Sequence, residues 1–241
     1  HLSTTDILTG EYHLDTISFT FPRYTRTMAT NSHSTLAVVG HSFVRRLSEF
    51  TAGNHLHPSQ LEAHRKFYDN LRISGEHMIY FGLGGAKISG GKPFFQPLHQ
   101  VLANQQLKAV YLDLGSNDLC DPLSSPERVA DQLLTAAKYI LSGYAVDIVI
   151  VGQITIRISE PYPGYNTKVQ DTNEYIRSKI EQDSANKIQF ARIRGLIQPS
   201  PTMFLRDGVH LNEAGNKLYA QGIRGAFLRA LKCLNPQASS Q

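Results

Sequence analysis

The stretch Leu36-Ala37-Val38-Val39-Gly40-His41-Ser42-Phe43-Val44-Arg45-Arg46-Leu47 decides the fold. Its four aliphatic residues in a row suit a short strand buried on both faces. A Gly and then a Ser follow at a strand-to-helix turn. That turn sets the Ser42 hydroxyl at a helix N-terminus, where backbone N–H groups and the helix dipole favour an anionic neighbour. The ordinary alternative is that Ser42 only caps the helix.

Similar aliphatic runs recur at 77–81, 109–114, 147–151 and 187–191, each followed by Gly or polar residues. Stretches with a period near 3.6 lie between them. In 127–141 the apolar positions Val129, Leu133, Leu134, Ala137, Ile140 and Leu141 form one stripe, with Ser125 as N-cap and Pro126 in the first turn. The pattern returns in 166–180 through Val169, Ile176 and Ile180, and in 214–231 through Leu218, Ile223, Ala226, Phe227 and Ala230. Strands alternating with helices predict right-handed βαβ units and a doubly wound, mostly parallel sheet between two helical layers. In such sheets the working site lies at the carboxyl ends of the strands, near the point where strand order reverses.

Composition bounds the rest. With 241 residues, 41% hydrophobic and 18% charged, the chain holds one globular α/β core and is not a disordered polymer. The expected division is an arm at 1–34, a single domain at 35–235 and a tail at 236–241. The arm is rich in Thr and Ser, with a weak strand-like alternation at 12–21. It is expected to pack on the domain or on a neighbouring copy in a homo-oligomer. A net charge of +4, with Lys and Arg scattered, gives no basic stripe, so a nucleic-acid partner is not expected. The 2 cysteines, Cys120 and Cys233, are too few for a disulfide framework or a zinc site and read as free thiols. No run reaches the roughly 20 apolar residues of a membrane span, and no secretory signal is visible. The expectation is a soluble protein, cytoplasmic or secreted with its signal removed.

Four clusters sit where chemistry is expected. The first is Gly40-His41-Ser42. The second, Gly82-Leu83-Gly84-Gly85-Ala86-Lys87, allows close backbone approach and N–H donors aimed at an oxyanion, or is a plain turn. The third, Leu114-Gly115-Ser116-Asn117-Asp118, offers the Asn117 amide to a developing charge, or is a polar turn held by its side chains. The last is Asp207-Gly208-Val209-His210 just before the final helix. An Asp and a His three apart can hydrogen-bond and fix the imidazole tautomer.

Taken in order, these clusters resemble the four blocks of the SGNH hydrolases, also called GDSL-like esterases and lipases. The resemblance spans roughly 36–231 and implies a flavodoxin-like α/β/α sandwich with a five-stranded sheet. It also implies Ser42 as nucleophile, Asp207 and His210 as its acid and base, and an oxyanion hole of Ser42, Gly85 (or Gly84) and Asn117. Asp118 and His41 are neighbours of that site. The family's first block usually reads Gly-Asp-Ser, so His41 is a departure that brings a titratable ring beside the nucleophile. The wording of the blocks also resembles an animal SGNH-like subgroup with a Gly-His-Ser first block. The implied activity is acyl transfer to water, without metal or cofactor, on an ester- or acetyl-bearing small molecule, lipid or glycan. The segments 56–74 and 156–165 are expected to rim the pocket. The rival reading, motivated by His41 and the arm, is an inactive module for ligand binding or self-assembly.

Overall fold

The computed structural model describes residues 9–14, 17–22, 34–89, 94–103 and 105–235, the first two segments as backbone only. Two antiparallel strands open it, β1 (Thr9–Leu14) and β2 (Ile17–Pro22), pairing from Thr9 with Pro22 to Leu14 with Ile17 in a sheet of their own. They fall where the sequence alternates at 12–21. The rest of the expected arm and the 236–241 tail lie outside the described residues.

The aliphatic run of the opening stretch is strand β3 (Ser34–Gly40), with Leu36 to Val39 fully buried. Successive side chains point to opposite faces. Ala37 and Val39 enter one core, Leu36 and Val38 the other. A strand with two buried faces has no reason to alternate polar residues, so its sequence is continuously apolar. Around it stand β4 (Glu76–Gly82), β5 (Leu107–Asp113), β6 (Ile148–Gly152) and β7 (Ile188–Ala191). The order is β4-β3-β5-β6-β7, with every neighbouring pair parallel.

One face is covered by α1 (Ser42–Thr51), α2 (Pro58–Tyr68) and α6 (Glu213–Leu234), the other by α3 (Phe95–Leu102), α4 (Pro126–Gly143) and α5 (Tyr165–Glu181). The result is the three-layer, doubly wound sandwich anticipated from the period of the sequence. The Ser125 hydroxyl accepts the Arg128 N–H at 3.1 Å and Pro126 occupies the first turn, so α4 starts where its cap signal stood. The segment at 56–74 is mostly helix α2, whose Tyr68 packs edge-on against Phe50 of α1 at 4.9 Å. Cys120 and Cys233 are free. Among the described residues no helix is long and apolar enough to cross a membrane.

Strand order makes the crevice. From β3 the chain crosses to β4 on one side, and β5 then joins β3 on the other. Order therefore reverses between β3 and β5, and a cleft opens beyond their carboxyl ends. The turn out of β3 is tight: His41 N–H donates to the Asp113 carbonyl at 3.1 Å, and Leu83 N–H to the Gly40 carbonyl at 2.9 Å. A Cβ at Gly40 would lie 2.2 Å from the Asp113 carbonyl oxygen, which is backbone and cannot swing aside. Gly40→Ala is therefore expected to cost about 2 kcal/mol or more by overpacking. A fall in the urea midpoint with unchanged slope would show it, and an unshifted midpoint would refute the tight approach.

Candidate active site

Helix α1 begins at the crevice, and its cap is His41. The ring Nδ1 accepts the Phe43 N–H at 3.3 Å, leaving the Ser42 hydroxyl out of the capping. The reading of Ser42 as a simple cap is thus excluded. Half-buried Ser42 instead holds its Oγ 3.0 Å from Nε2 of His210.

The segment carrying His210 is shaped by its own backbone. Leu205 N–H donates to the His210 carbonyl at 2.7 Å and Gly208 N–H to the Leu205 carbonyl at 3.0 Å, closing a turn. Gly208 sits at φ +65°, the left-handed region where a side chain is strained. Its carbonyl accepts the Ile158 and Ser159 N–H groups at 2.8 and 3.0 Å, so the 156–165 segment crosses here. Asp207 Oδ1 accepts the N–H groups of Val209 and His210, both at 2.9 Å, while Oδ2 meets His210 Nδ1 at 2.7 Å. Partial burial pushes this carboxyl upward. The backbone and ring donors of His210, with Val209 N–H, outweigh it and hold the carboxyl at about 2. An ionised Asp207 keeps the proton on Nδ1 and leaves the Nε2 lone pair facing Ser42. The arrangement can take a proton from a serine hydroxyl.

Across the crevice, the loop after β5 is tied to the glycine turn after β4. Asn117 Nδ2 donates to the Ala86 carbonyl at 2.9 Å. Gly85 has φ +75° within a turn closed by Ala86 N–H on the Leu83 carbonyl at 3.1 Å. Asp118 accepts the Ile88 N–H at 3.0 Å and the Ser89 N–H at 3.4 Å. Burial raises its carboxyl to about 6, against the pull of these donors. The second and third clusters are thus one cross-linked unit, and Asn117 also holds its loop.

His41 lies under the turn, not beside the hydroxyl. It is 2% exposed, and its Nε2 reaches Asp113 Oδ1 at 3.3 Å and Ser116 Oγ at 3.2 Å. Because Nδ1 accepts from Phe43, a neutral ring carries its proton on Nε2, toward Asp113. Tyr219 of α6 donates to the other oxygen of Asp113.

Sequence reading missed this support. Asp113 was visible as a carboxylate at the end of an apolar run, but its partners are 72 and 106 residues away and leave no local signal. Arg157 was also missed. It donates to Asn117 Oδ1 and the Ser116 carbonyl, both at 3.3 Å, and its guanidinium carbon sits 4.9 Å from the Tyr165 ring centre. Tyr162 and Tyr165, in the segment expected to rim the pocket, are struts: their hydroxyls donate to the carbonyls of Leu119 (2.7 Å) and Ser116 (3.0 Å).

The family model described as GDSL-like Lipase/Acylhydrolase matches residues 36–223, most of the chain. The chain belongs to that family. Membership in the GDSL-like lipase/acylhydrolases makes it a hydrolase, with ester or acetyl hydrolysis as the general activity. No curated protein matches its sequence. Among solved structures, a member of the lipolytic G-D-S-L family from Veillonella parvula aligns with TM-score 0.57 and 17% identity, over 81% of this chain and 99% of that one. A carbohydrate acetylesterase from Sinorhizobium meliloti aligns with TM-score 0.54 and 15% identity, over 81% and 99%. The C-terminal catalytic domain of peptidoglycan O-acetyltransferase A from Streptococcus pneumoniae, carrying a methylsulfonyl adduct, gives 0.53 and 17%, over 83% and 95%. At these identities the likeness establishes the fold. Among the described residues of this GDSL-like chain, no group of three or more His, Cys, Asp or Glu is placed to hold a metal.

Two predictions follow from the supporting network. His41→Ala removes the cap and leaves Asp113 Oδ1 without its ring donor, at an expected cost of about 2–4 kcal/mol. His41→Asn, whose amide oxygen can still accept from Phe43, should lose less. His41→Asp sets a second carboxylate against Asp113 and should lose most at neutral pH, although Asp is the family's usual residue. Urea titrations rank the three, and Asp as the mildest change would sink the assignment. For Asp118 the folded carboxyl titrates above its unfolded value. Its contribution to stability is therefore full below about pH 4 and is lost as pH rises to about 6. Relative to Asp118→Asn, the wild type should lose about 3 kcal/mol across that window and stay level above it. A difference independent of pH would contradict the burial argument.

Proposed function

We propose that the protein is a carboxylic ester hydrolase working through Ser42, His210 and Asp207. The observation that carries this reading is the hydrogen-bonded chain from the Ser42 hydroxyl through both ring nitrogens of His210 to Asp207, at the first turn of a helix. In the proposed reaction Ser42 Oγ attacks the ester or acetyl carbonyl as its proton passes to His210 Nε2. Asp207 orients the imidazolium. The oxyanion receives the N–H groups of Ser42 and Gly85 and the Nδ2 hydrogen of Asn117 not given to Ala86. Collapse breaks the C–O bond, and the departing alcohol takes the proton from His210. Water, deprotonated by the same nitrogen, then attacks the acyl-serine and releases the acid. The Gly-His-Ser first block supports placing the chain in an animal subgroup of the family.

Hydrolysis of 4-nitrophenyl acetate and butyrate tests this. Ser42→Ala should abolish turnover and fluorophosphonate labelling while leaving circular dichroism unchanged. Asn117→Ala should lower kcat about 10²–10³-fold by removing one oxyanion donor. A folded wild type that neither hydrolyses the esters nor takes the label would favour the binding or assembly module.

A further inference from the structure

Helix α1 carries the chain away from Ser42, and one turn along the same face stands Arg46. This side chain is half-buried, and its Nε is buried without a hydrogen-bond partner. None of the ion pairs among the described residues includes it. Arg46 lines a cavity of about 390 Å³ between α1 and the start of α6, with Glu49, Asn54, His55, Leu205 and Asn216. Leu205 on its wall is tied to the segment that carries His210, its N–H donating to the His210 carbonyl at 2.7 Å. The acidic groups of the cavity are already matched: Glu49 pairs with Arg45 at 2.9 Å, and Glu213, on the same lining, with Lys217 at 2.7 Å. Among the described residues of this lining, the Arg46 guanidinium enters none of the ion pairs.

A half-buried guanidinium whose Nε already lacks an acceptor is poorly solvated, and an anionic group in the cavity would pair with its remaining donors. The planar guanidinium fork fits a carboxylate, sulfate or phosphate in bidentate fashion. At 1.5 Å per residue, four residues advance about 6 Å along the helix axis, so the group Arg46 meets lies several bonds from the reacting carbonyl. We propose that this cavity is a substrate subsite in which Arg46 binds an anionic group carried by the ester. The inference rests on the hydrolase reading and narrows it to acidic esters.

Two matched pairs of esters test it and locate the anion. On the acyl side the pair is 4-nitrophenyl hemiglutarate and 4-nitrophenyl butyrate. On the alcohol side it is 4-acetoxybenzoate and 4-acetoxybenzamide. In at least one pair, Arg46→Gln should lower the ratio of kcat/KM for the anionic over the neutral ester by tenfold or more, chiefly through KM. Arg46→Lys should retain part of the preference. Arg65→Gln on α2, an equal change of net charge at an exposed site away from the cavity lining, should leave both ratios alone. Ratios unchanged in a folded Arg46→Gln overturn the subsite. Should that variant not fold, competitive inhibition of the wild type decides: glutarate inhibiting where glutaramide does not sustains the subsite, and equal or absent inhibition overturns it. A wild type inactive on all four esters refutes the hydrolase reading instead. Calorimetric titration of glutarate into wild type and Arg46→Gln then reads the anion site directly, with Arg46-dependent binding sustaining it and no binding removing it.

Discussion

The hydrogen bonds made by the buried ring of His41 hold the first turn of α1 to the end of β5. One ring nitrogen accepts from Phe43 and so terminates the helix. The other faces Asp113 and Ser116, at the strand end and in the loop that carries Asn117. Two elements that meet only at the crevice are thereby fixed in register by one planar group. The Tyr219 hydroxyl on Asp113 extends the tie to α6, the helix that follows His210. The chain Asp113–His41–α1 thus sets where Ser42 stands, and Asp113–Tyr219–α6 bears on where His210 stands. The Gly-Asp-Ser form of the block would put an acceptor at the same cap. In this chain, however, a carboxylate is already present at Asp113, and a group that accepts on one side and donates on the other fits between them. A histidine here satisfies the buried acid that an aspartate would oppose.

The remaining loops are likewise positioned by polar groups reaching across sequence, most of them side chains meeting main-chain atoms. Asn117 and Asp118 grip 86–89, Arg157 and Tyr165 grip Ser116, and Gly208 receives the N–H groups of 158–159. Loops at a strand edge have no ladder to rigidify them, so their polar groups must find partners singly. When buried, each such bond is costly to leave unmade. This is how a site built on four separate turns acquires fixed distances.

The sheet and its helices were legible because burial writes a local signature. The five aliphatic runs and the 3.6-residue stripes repeat over short windows, and the Ser125-Pro126 start of α4 is a signal confined to two residues. Ser42, Asp207 and His210 were singled out by order and resemblance, and the structure sets His210 within hydrogen-bond distance of each of the other two. What escaped was the part determined by tertiary distance. Nothing near Arg157 marks it as a partner of Asn117, and nothing near Tyr219 marks it as a partner of Asp113. The ring of His41 was expected beside the hydroxyl because adjacency in sequence was taken for adjacency of side chains. At a helix start the cap side chain folds back over the first N–H groups, while the next residue points outward.

The two aspartates flanking the crevice show why the same residue type serves opposite ends. Asp207 sits on an exposed turn, where three donors outweigh its slight desolvation and keep it ionised far below neutral pH. That constancy is what an orienting partner for an imidazole requires, because a proton on the carboxylate would release the ring to its other tautomer. Asp118 sits in the interior, where desolvation outweighs two backbone N–H bonds and raises the carboxyl to about 6. A group so placed is a poor permanent anion but an adequate clamp, since an oxygen acceptor remains in either protonation state. At Asp207 the donors outweigh a small desolvation, and at Asp118 a large desolvation outweighs the donors, so the same residue type ends on opposite sides of its ordinary range.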